Sequence, residues 1–348
     1  MRNSINCNMP GTVLITGANG SLALGFAESF LELYPEYTLV ATVRNPSPDK
    51  DPNTAKLARL VSRYPLAKVH IEALDLGNLA GVHSFADNLS ERISSGMLPP
   101  ISAIVCNAMT WSLESGQKFT SDGYEATFQV AHLAHYLLVL KLLANMDKEA
   151  GRIVMLGSAT HYPEKKNPLS SLRPGIPDAK NIEELVHPTP DPEGLAHDRG
   201  FQRYGTSKLA NVIFAEDLNG RLKQHPDLCN ITATAMDPGG LLESRGQTGQ
   251  KASVQRMKLY PNAPTMKLSS ISIATAALTL PLQVAAGPLG YGVCQAGCSG
   301  VVVACYTAAG FTFGTVFAAA APPAIIQCNA AYGACQAACA AVLLTPTP

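Results

Sequence analysis

The sequence predicts a doubly wound parallel α/β sheet across residues 11–260, followed by a tail of a different kind. Within that span short apolar runs alternate with longer amphipathic stretches. This is the rhythm of strand–helix–strand units, in which crossover helices cover both faces of a parallel sheet. The first apolar run passes through a glycine-containing turn directly into the first amphipathic stretch, where such folds receive a ligand. The composition then breaks: no Asp, Glu, Lys, Arg or His follows Lys267.

The first apolar run, Thr12–Thr16, is read as a strand and leads into a helix over Leu22–Leu33. The run Thr38–Val43 and the amphipathic Thr54–Ser62 repeat the unit, as do Val69–Ala73 and Leu79–Ser94. Ile101–Cys106 is followed by the longest apolar stretch, Gly123–Met146, read as one helix. Arg152–Leu156 is the fifth strand, Tyr204–Lys223 the last helix and Ile231–Ala235 the sixth strand. Residues 159–203 interrupt the rhythm with seven prolines and little periodicity. They are read as a long surface loop with one helical turn around Ile182–Val186, and loops of that length are usually functional or disordered.

Tyr204-Gly-Thr-Ser-Lys208 carries the chemistry. Residues four apart share a helical face, so the ammonium of Lys208 is placed beside the phenol of Tyr204. Free Tyr titrates near ~10, and a neighbouring cation favours the phenolate, which brings acid–base work closer to neutral pH. The same spacing occurs at Tyr64–Lys68 and Tyr162–Lys166, but Pro65 and Pro163 push those tyrosines away from helical angles. Only Tyr204 leads into a good helix.

Other candidates lie at the carboxyl ends of the expected strands, where ligands of doubly wound sheets bind. The turn Thr16-Gly17-Ala-Asn19-Gly-Ser21-Leu22 is placed to set backbone N–H groups against a pyrophosphate, with Gly17, Asn19, Ser21 and Leu22 as contacts. Arg44 follows the second strand, where a cation favours a 2′-phosphate and hence NADP, with NAD as the alternative. Asp75-Leu76 follows the third strand and Asn107-Ala108 the fourth; ordinary turn chemistry would also account for them. Ser158 closes the fifth strand, as a cap or as a hydroxyl that holds a substrate carbonyl.

These pieces together resemble the short-chain dehydrogenase/reductase family, a Rossmann-type fold, over about residues 12–240 and in a branch familiar from fungi. The matching motifs are Thr16-Gly17, Asp75-Leu76, Asn107-Ala108, Ser158, Tyr204-x-x-x-Lys208 and Asp237-Pro238-Gly239. The resemblance implies hydride transfer between a nicotinamide and a small-molecule carbonyl or alcohol. It makes Tyr204 the general acid/base, Ser158 the group that orients the carbonyl, and Lys208 the ribose contact that lowers the Tyr204 pKa. Pro238 and Gly239 join the cofactor contacts. The chain departs from the family pattern at Ser21 and Ala23, where glycines are usual, and at Cys106 and Met109 around Asn107-Ala108. It also departs at Ala131, aligned with the family's catalytic Asn, and in the long spacing between Ser158 and Tyr204.

The 348 residues carry 26 basic and 26 acidic side chains, a zero net charge that gives no reason to expect a nucleic-acid partner. The N-terminus lacks an apolar signal, and the scattered Cys7, Cys106 and Cys229 suit a reducing, cytoplasmic domain. Three parts are expected: an oxidoreductase domain over 1–265 lacking its seventh strand, a signal-like apolar segment over 266–286, and a cysteine-rich helical tail over 287–348. The tail vaguely resembles small secreted fungal proteins, and its cysteines read as a palindrome pairing Cys294 with Cys339, Cys298 with Cys335 and Cys305 with Cys328. The break at Met266 is read as a second reading frame joined to the first, with a genuine fusion as the alternative; the alternative function is a catalytically impaired oxidoreductase relic joined to a secreted, disulfide-rich binding module. Membrane association through 268–286 and homo-oligomerisation are left open.

Overall fold

A computed structural model describes residues 10–113, 116–164 and 170–239. Six strands form one parallel sheet in the order β3-β2-β1-β4-β5-β6. They are β1 (Thr12–Thr16), β2 (Thr38–Val43), β3 (Lys68–Ala73), β4 (Ile101–Cys106), β5 (Arg152–Leu156) and β6 (Thr232–Met236). The order reverses between β1 and β4, so the crevice outside their carboxyl ends is the expected ligand position. The expected α/β class and its six strands are thus observed, each within one residue of its expected bounds.

Alternation along the strands builds the two faces. Val13 and Ile15 of β1 pack with Phe26, Phe30 and Leu57 of α1 (Ser21–Leu33) and α2 (Pro52–Val61). Leu14 points the other way, into a cluster with Val82, Leu138 and Phe214. Those residues come from α3 (Leu79–Ser94), α5 (Ala134–Leu142) and α6 (Ala196–Gln224). Period-2 strands buried on both sides read as continuous apolar runs, which is why β1, β2, β4 and β5 were legible.

Two helices differ from expectation. The stretch expected as one helix over Gly123–Met146 begins at a short α4 (Ala126–Phe128), widens into a π turn over Gln129–Leu133, and resumes as α5. Glu125 sets its start by accepting the Phe128 N–H at 2.8 Å, and the Ala134 N–H reaches back five residues to the Gln129 carbonyl. The last helix starts at Ala196, eight residues before Tyr204, so the connecting loop is correspondingly shorter than expected. Its added turns are held by tertiary packing: Phe201 is buried against Leu113 and Trp111.

Gly200 permits that contact, because a Cβ there would sit 2.3 Å from the Ser112 carbonyl oxygen and 3.0 Å from the Leu113 Cα. Both are backbone atoms that cannot swing aside. Gly200→Ala is therefore expected to cost about 1–3 kcal/mol in denaturant unfolding, as overpacking does. An unchanged midpoint would show that the added turns do not dock here.

Described parts of the 159–203 segment are bound down at several points. A 3-10 turn at Ile182–Leu185 matches the expected turn. Arg203 grips Asp191 through two bonds of 2.6 and 2.9 Å and lies 3.4 Å from the buried Glu125. The Glu125 N–H donates to the Val186 carbonyl and the Gln117 amide to the Thr189 carbonyl. The expected signal-like segment, the cysteine-rich tail with its bridges, and the domain bounds at 265 and 286 lie outside the described residues.

Candidate functional site

The site forms where β1 and β4 diverge. Gly17 has φ +63°, and a Cβ there would lie 2.9 Å from the Ala108 Cβ, so the turn needs glycine for both conformation and space. Gly20 precedes α1, whose first turn has no side-chain cap, so its N–H groups, Ser21 and Leu22 included, are left for an anion. Asn19 differs from its expected use. Its amide is buried and donates to Asp51 and Thr54 at 3.0 Å each, bracing the turn from α2. Asn107 also braces it, donating through its amide to the Thr16 carbonyl at 2.8 Å and the Gly17 carbonyl at 3.2 Å.

Arg44 is exposed directly after β2, with no ion pair among the described residues. Asp75 is exposed and accepts the Gly77 N–H at 2.9 Å, while Leu76 is buried and its carbonyl accepts from Gln129. Pro238 and Gly239 follow β6, and the Asp237 carboxylate accepts the Gly239 N–H.

Beside the turn, Ser158 and Tyr204 come together across the 46 positions that separate them. The Ser158 hydroxyl faces the Tyr204 phenol closely enough to favour its ionised form, and it also caps the short turn Ala159–His161 by accepting the Thr160 N–H at 3.3 Å. Ser158 is thus a cap, as one of its two sequence readings has it, and its hydroxyl faces the phenol as well. Lys208 is buried, donates from Nζ to the Leu156 carbonyl at 2.9 Å, and lies 5.5 Å from the centre of the Tyr204 ring. Tyr64 and Lys68 fall outside any shared helix, as the proline argument requires.

The electrostatics correct one expectation. The Tyr204 phenol is pushed up from its ordinary value, first by burial, against the Ser158 hydrogen bond and with the Asp237 carboxylate adding to the rise. Lys208 is itself pushed down to about 8 by burial, opposed by Asp237 and Cys106. The lysine ammonium aims at a backbone carbonyl rather than at the phenol, so the phenol stays protonated through neutral pH.

Several groups escaped the motif reading. The Thr16 hydroxyl accepts the N–H groups of Asn107 and Ala108 at 3.0 Å each and meets His135 Nε2 at 2.8 Å. Trp111 packs tilted against Tyr204 with ring centres 4.8 Å apart; nothing in its spacing marks it. Asn211 lies near Lys208, and its position seven residues after Tyr204 could have placed it on the same face.

The residues fit a dinucleotide: an uncapped helix N-terminus behind a glycine cradle, an exposed cation at the far end and a proton donor at the near end. Fold and site thus define a nucleotide-dependent oxidoreductase of the doubly wound class. The chain is 32% identical over 270 residues to the short-chain dehydrogenase iccH of Talaromyces variabilis, covering 67% of this chain and 70% of that one. It belongs to the short-chain dehydrogenase/reductase family, whose members are NAD(P)-dependent oxidoreductases. The WW domain-containing oxidoreductase of Gallus gallus is 31% identical over 237 residues, 67% of this chain and 49% of that protein, so this chain spans about half its length. Among solved structures, a metagenomic short-chain oxidoreductase in complex with NADP is similar at TM-score 0.47 and 15% identity, over 78% of this chain and 91% of that one. A scan against family models returns no match.

Proposed function

We propose that this chain is an NADP-preferring carbonyl reductase in which Tyr204 is the general acid. The observation that carries the reading is the convergence of Ser158, Tyr204 and the buried Lys208 at the carboxyl edge of the sheet, with Lys208 5.5 Å from the Tyr204 ring. When bound, a reduced nicotinamide supplies the hydride that the carbonyl carbon receives. Ser158 donates a hydrogen bond to the carbonyl oxygen and polarises it. Tyr204 then gives its proton to that oxygen as the alcohol forms, and solvent returns a proton to the phenolate. Lys208 would hold the cofactor ribose. Its positive charge also steadies the phenolate that exists between the two proton transfers. Burial keeps the phenol in its protonated form, the form that donates to a carbonyl oxygen.

The backbone of the Gly17–Leu22 turn supports pyrophosphate binding, and the exposed Arg44 supports the 2′-phosphate. Fluorescence titrations with NADPH and NADH, followed by oxidation of NADPH with a panel of aldehydes and ketones, test the reading. Binding of neither nucleotide would end it. Arg44→Asp is expected to move the ratio of the two affinities toward NADH by about tenfold or more, since an acid can accept from ribose hydroxyls but repels a phosphate. An unchanged ratio removes Arg44 from the site. The free thiols Cys106 and Cys229 support a reducing, cytoplasmic setting for this domain.

A further inference from the structure

The π turn places the Ala131 carbonyl where two side chains meet it. Asn211 donates from Nδ2 to Ala131 O at 3.2 Å, and His135 approaches the same oxygen through Nδ1 at 3.3 Å. The Asn211 amide also donates to Leu156 O at 3.2 Å, the carbonyl that receives the Lys208 ammonium at 2.9 Å. Asn211 Oδ1 lies 2.9 Å from His132 Nδ1. Because the amide nitrogen serves two carbonyls, Oδ1 is the acceptor and His132 Nδ1 carries the proton. Asn211 is fully buried, so each of these bonds replaces a contact with water.

We propose that Asn211, oriented by His132, is the positioning residue for Lys208, fixing through one amide both the carbonyl that holds the ammonium and the π turn facing it. This deepens the reading of Lys208 as the cofactor contact and rests on it. The chain of contacts also runs on toward the nucleotide turn. His135 donates to Ala131 O, so its Nε2 is the acceptor for the Thr16 hydroxyl, which in turn receives the N–H groups of Asn107 and Ala108. Burial pushes His135 down to about 3 and so keeps that nitrogen an acceptor throughout the working range.

The groups whose charges bear on Lys208 come from every side. They are Asp237 after β6, Cys106 at the end of β4, His132 in the π turn, His135 in α5 and Tyr204 one turn away on α6. Burial lowers both His132 and His135, whereas Asp237 raises the Lys208 value.

The test is NADPH binding by the full chain, followed by cofactor fluorescence from about pH 6 to 10, with thermal melts alongside. Wild-type affinity is expected to fall as pH rises through about 8, where Lys208 loses its proton. Asn211→Ala is expected to weaken affinity at neutral pH by about tenfold, the loss of one fixed hydrogen-bonding group. Water entering the vacated space reduces the burial of Lys208, so the midpoint of the pH profile should also move upward. A folded Asn211→Ala with unchanged affinity and midpoint overturns the proposal, even if it melts earlier.

His132→Phe guards against a variant that fails to fold, since a phenyl ring keeps the packing with Phe128 and Phe214. It should shift the profile in the same direction by a smaller amount, and no shift overturns the role of His132. Lys208→Met separates the two levels of the reading. If it weakens NADPH binding and Asn211→Ala does not, only the positioning role fails; if neither does, the cofactor contact itself is wrong.

Discussion

Tyr204→Phe is expected to lower the turnover number by about 10²–10⁴-fold while leaving NADPH affinity within a few-fold. The substitution removes one oxygen and keeps the ring. That ring is packed against Trp111, 4.8 Å away, and approached by Lys208, so its place in the wall of the site survives. The phenol proton is needed only when the carbonyl oxygen gains charge, a transition-state interaction that affects turnover and not ground-state binding. The phenol is raised by burial, and the rate should therefore show no loss of the acid form on the alkaline side near neutrality. The hydroxyl of Ser158 loses a partner in the variant but keeps the Thr160 N–H, so local structure should hold. Parallel losses of affinity and turnover would mean that Tyr204 is a binding residue, and the general-acid assignment would fall.

Most of the fold was legible because its signals are local. Each strand of the buried sheet is a short apolar run, and a sheet covered on both faces leaves few alternatives for such a pattern. The acid–base pair was legible for the same reason, since helical spacing fixes Tyr204 and Lys208 on one face without any tertiary information. The first turns of α6 were not, because Ala196–Arg203 contains a glycine and several charges and is helical only through docking of Gly200 and Phe201 on Ser112 and Leu113. The π turn was hidden for a similar reason. Its irregularity is satisfied by Asn211 and His135, and the Asn211 contact spans 80 positions. Sequence spacing also misjudged the electrostatics. It placed a cation beside the phenol but could not show that Lys208 would be buried and Tyr204 partly so, which here decides the direction in which each pKa moves.

Lys208→Met is expected to abolish efficient cofactor use and, at neutral pH, to make the protein more stable. Burial lowers the folded-state value of this lysine from 10.5 to about 8, which means that below about 8 the native state carries a charge it would release if it could. The unfolded chain keeps the proton up to 10.5. Between those values the unfolded state binds more protons than the native state, so wild-type stability rises with pH across that window. The penalty present at neutral pH is about 3 kcal/mol, since each tenfold loss of proton affinity corresponds to about 1.4 kcal/mol. Losing the hydrogen bond to Leu156 O returns about 1 kcal/mol of it, leaving a net gain of about 2 kcal/mol for the methionine variant. Leu156 O retains Asn211 as a donor, so no buried carbonyl is orphaned. Denaturant unfolding near neutral pH and again above about 10.5 checks this, because the advantage of Met must shrink as the wild-type lysine deprotonates in both states. A variant that is less stable at neutral pH, or whose advantage does not change with pH, would show that Lys208 is not buried as a charge. A stable variant that binds NADPH poorly would show the lysine to be kept for the cofactor at the expense of the fold.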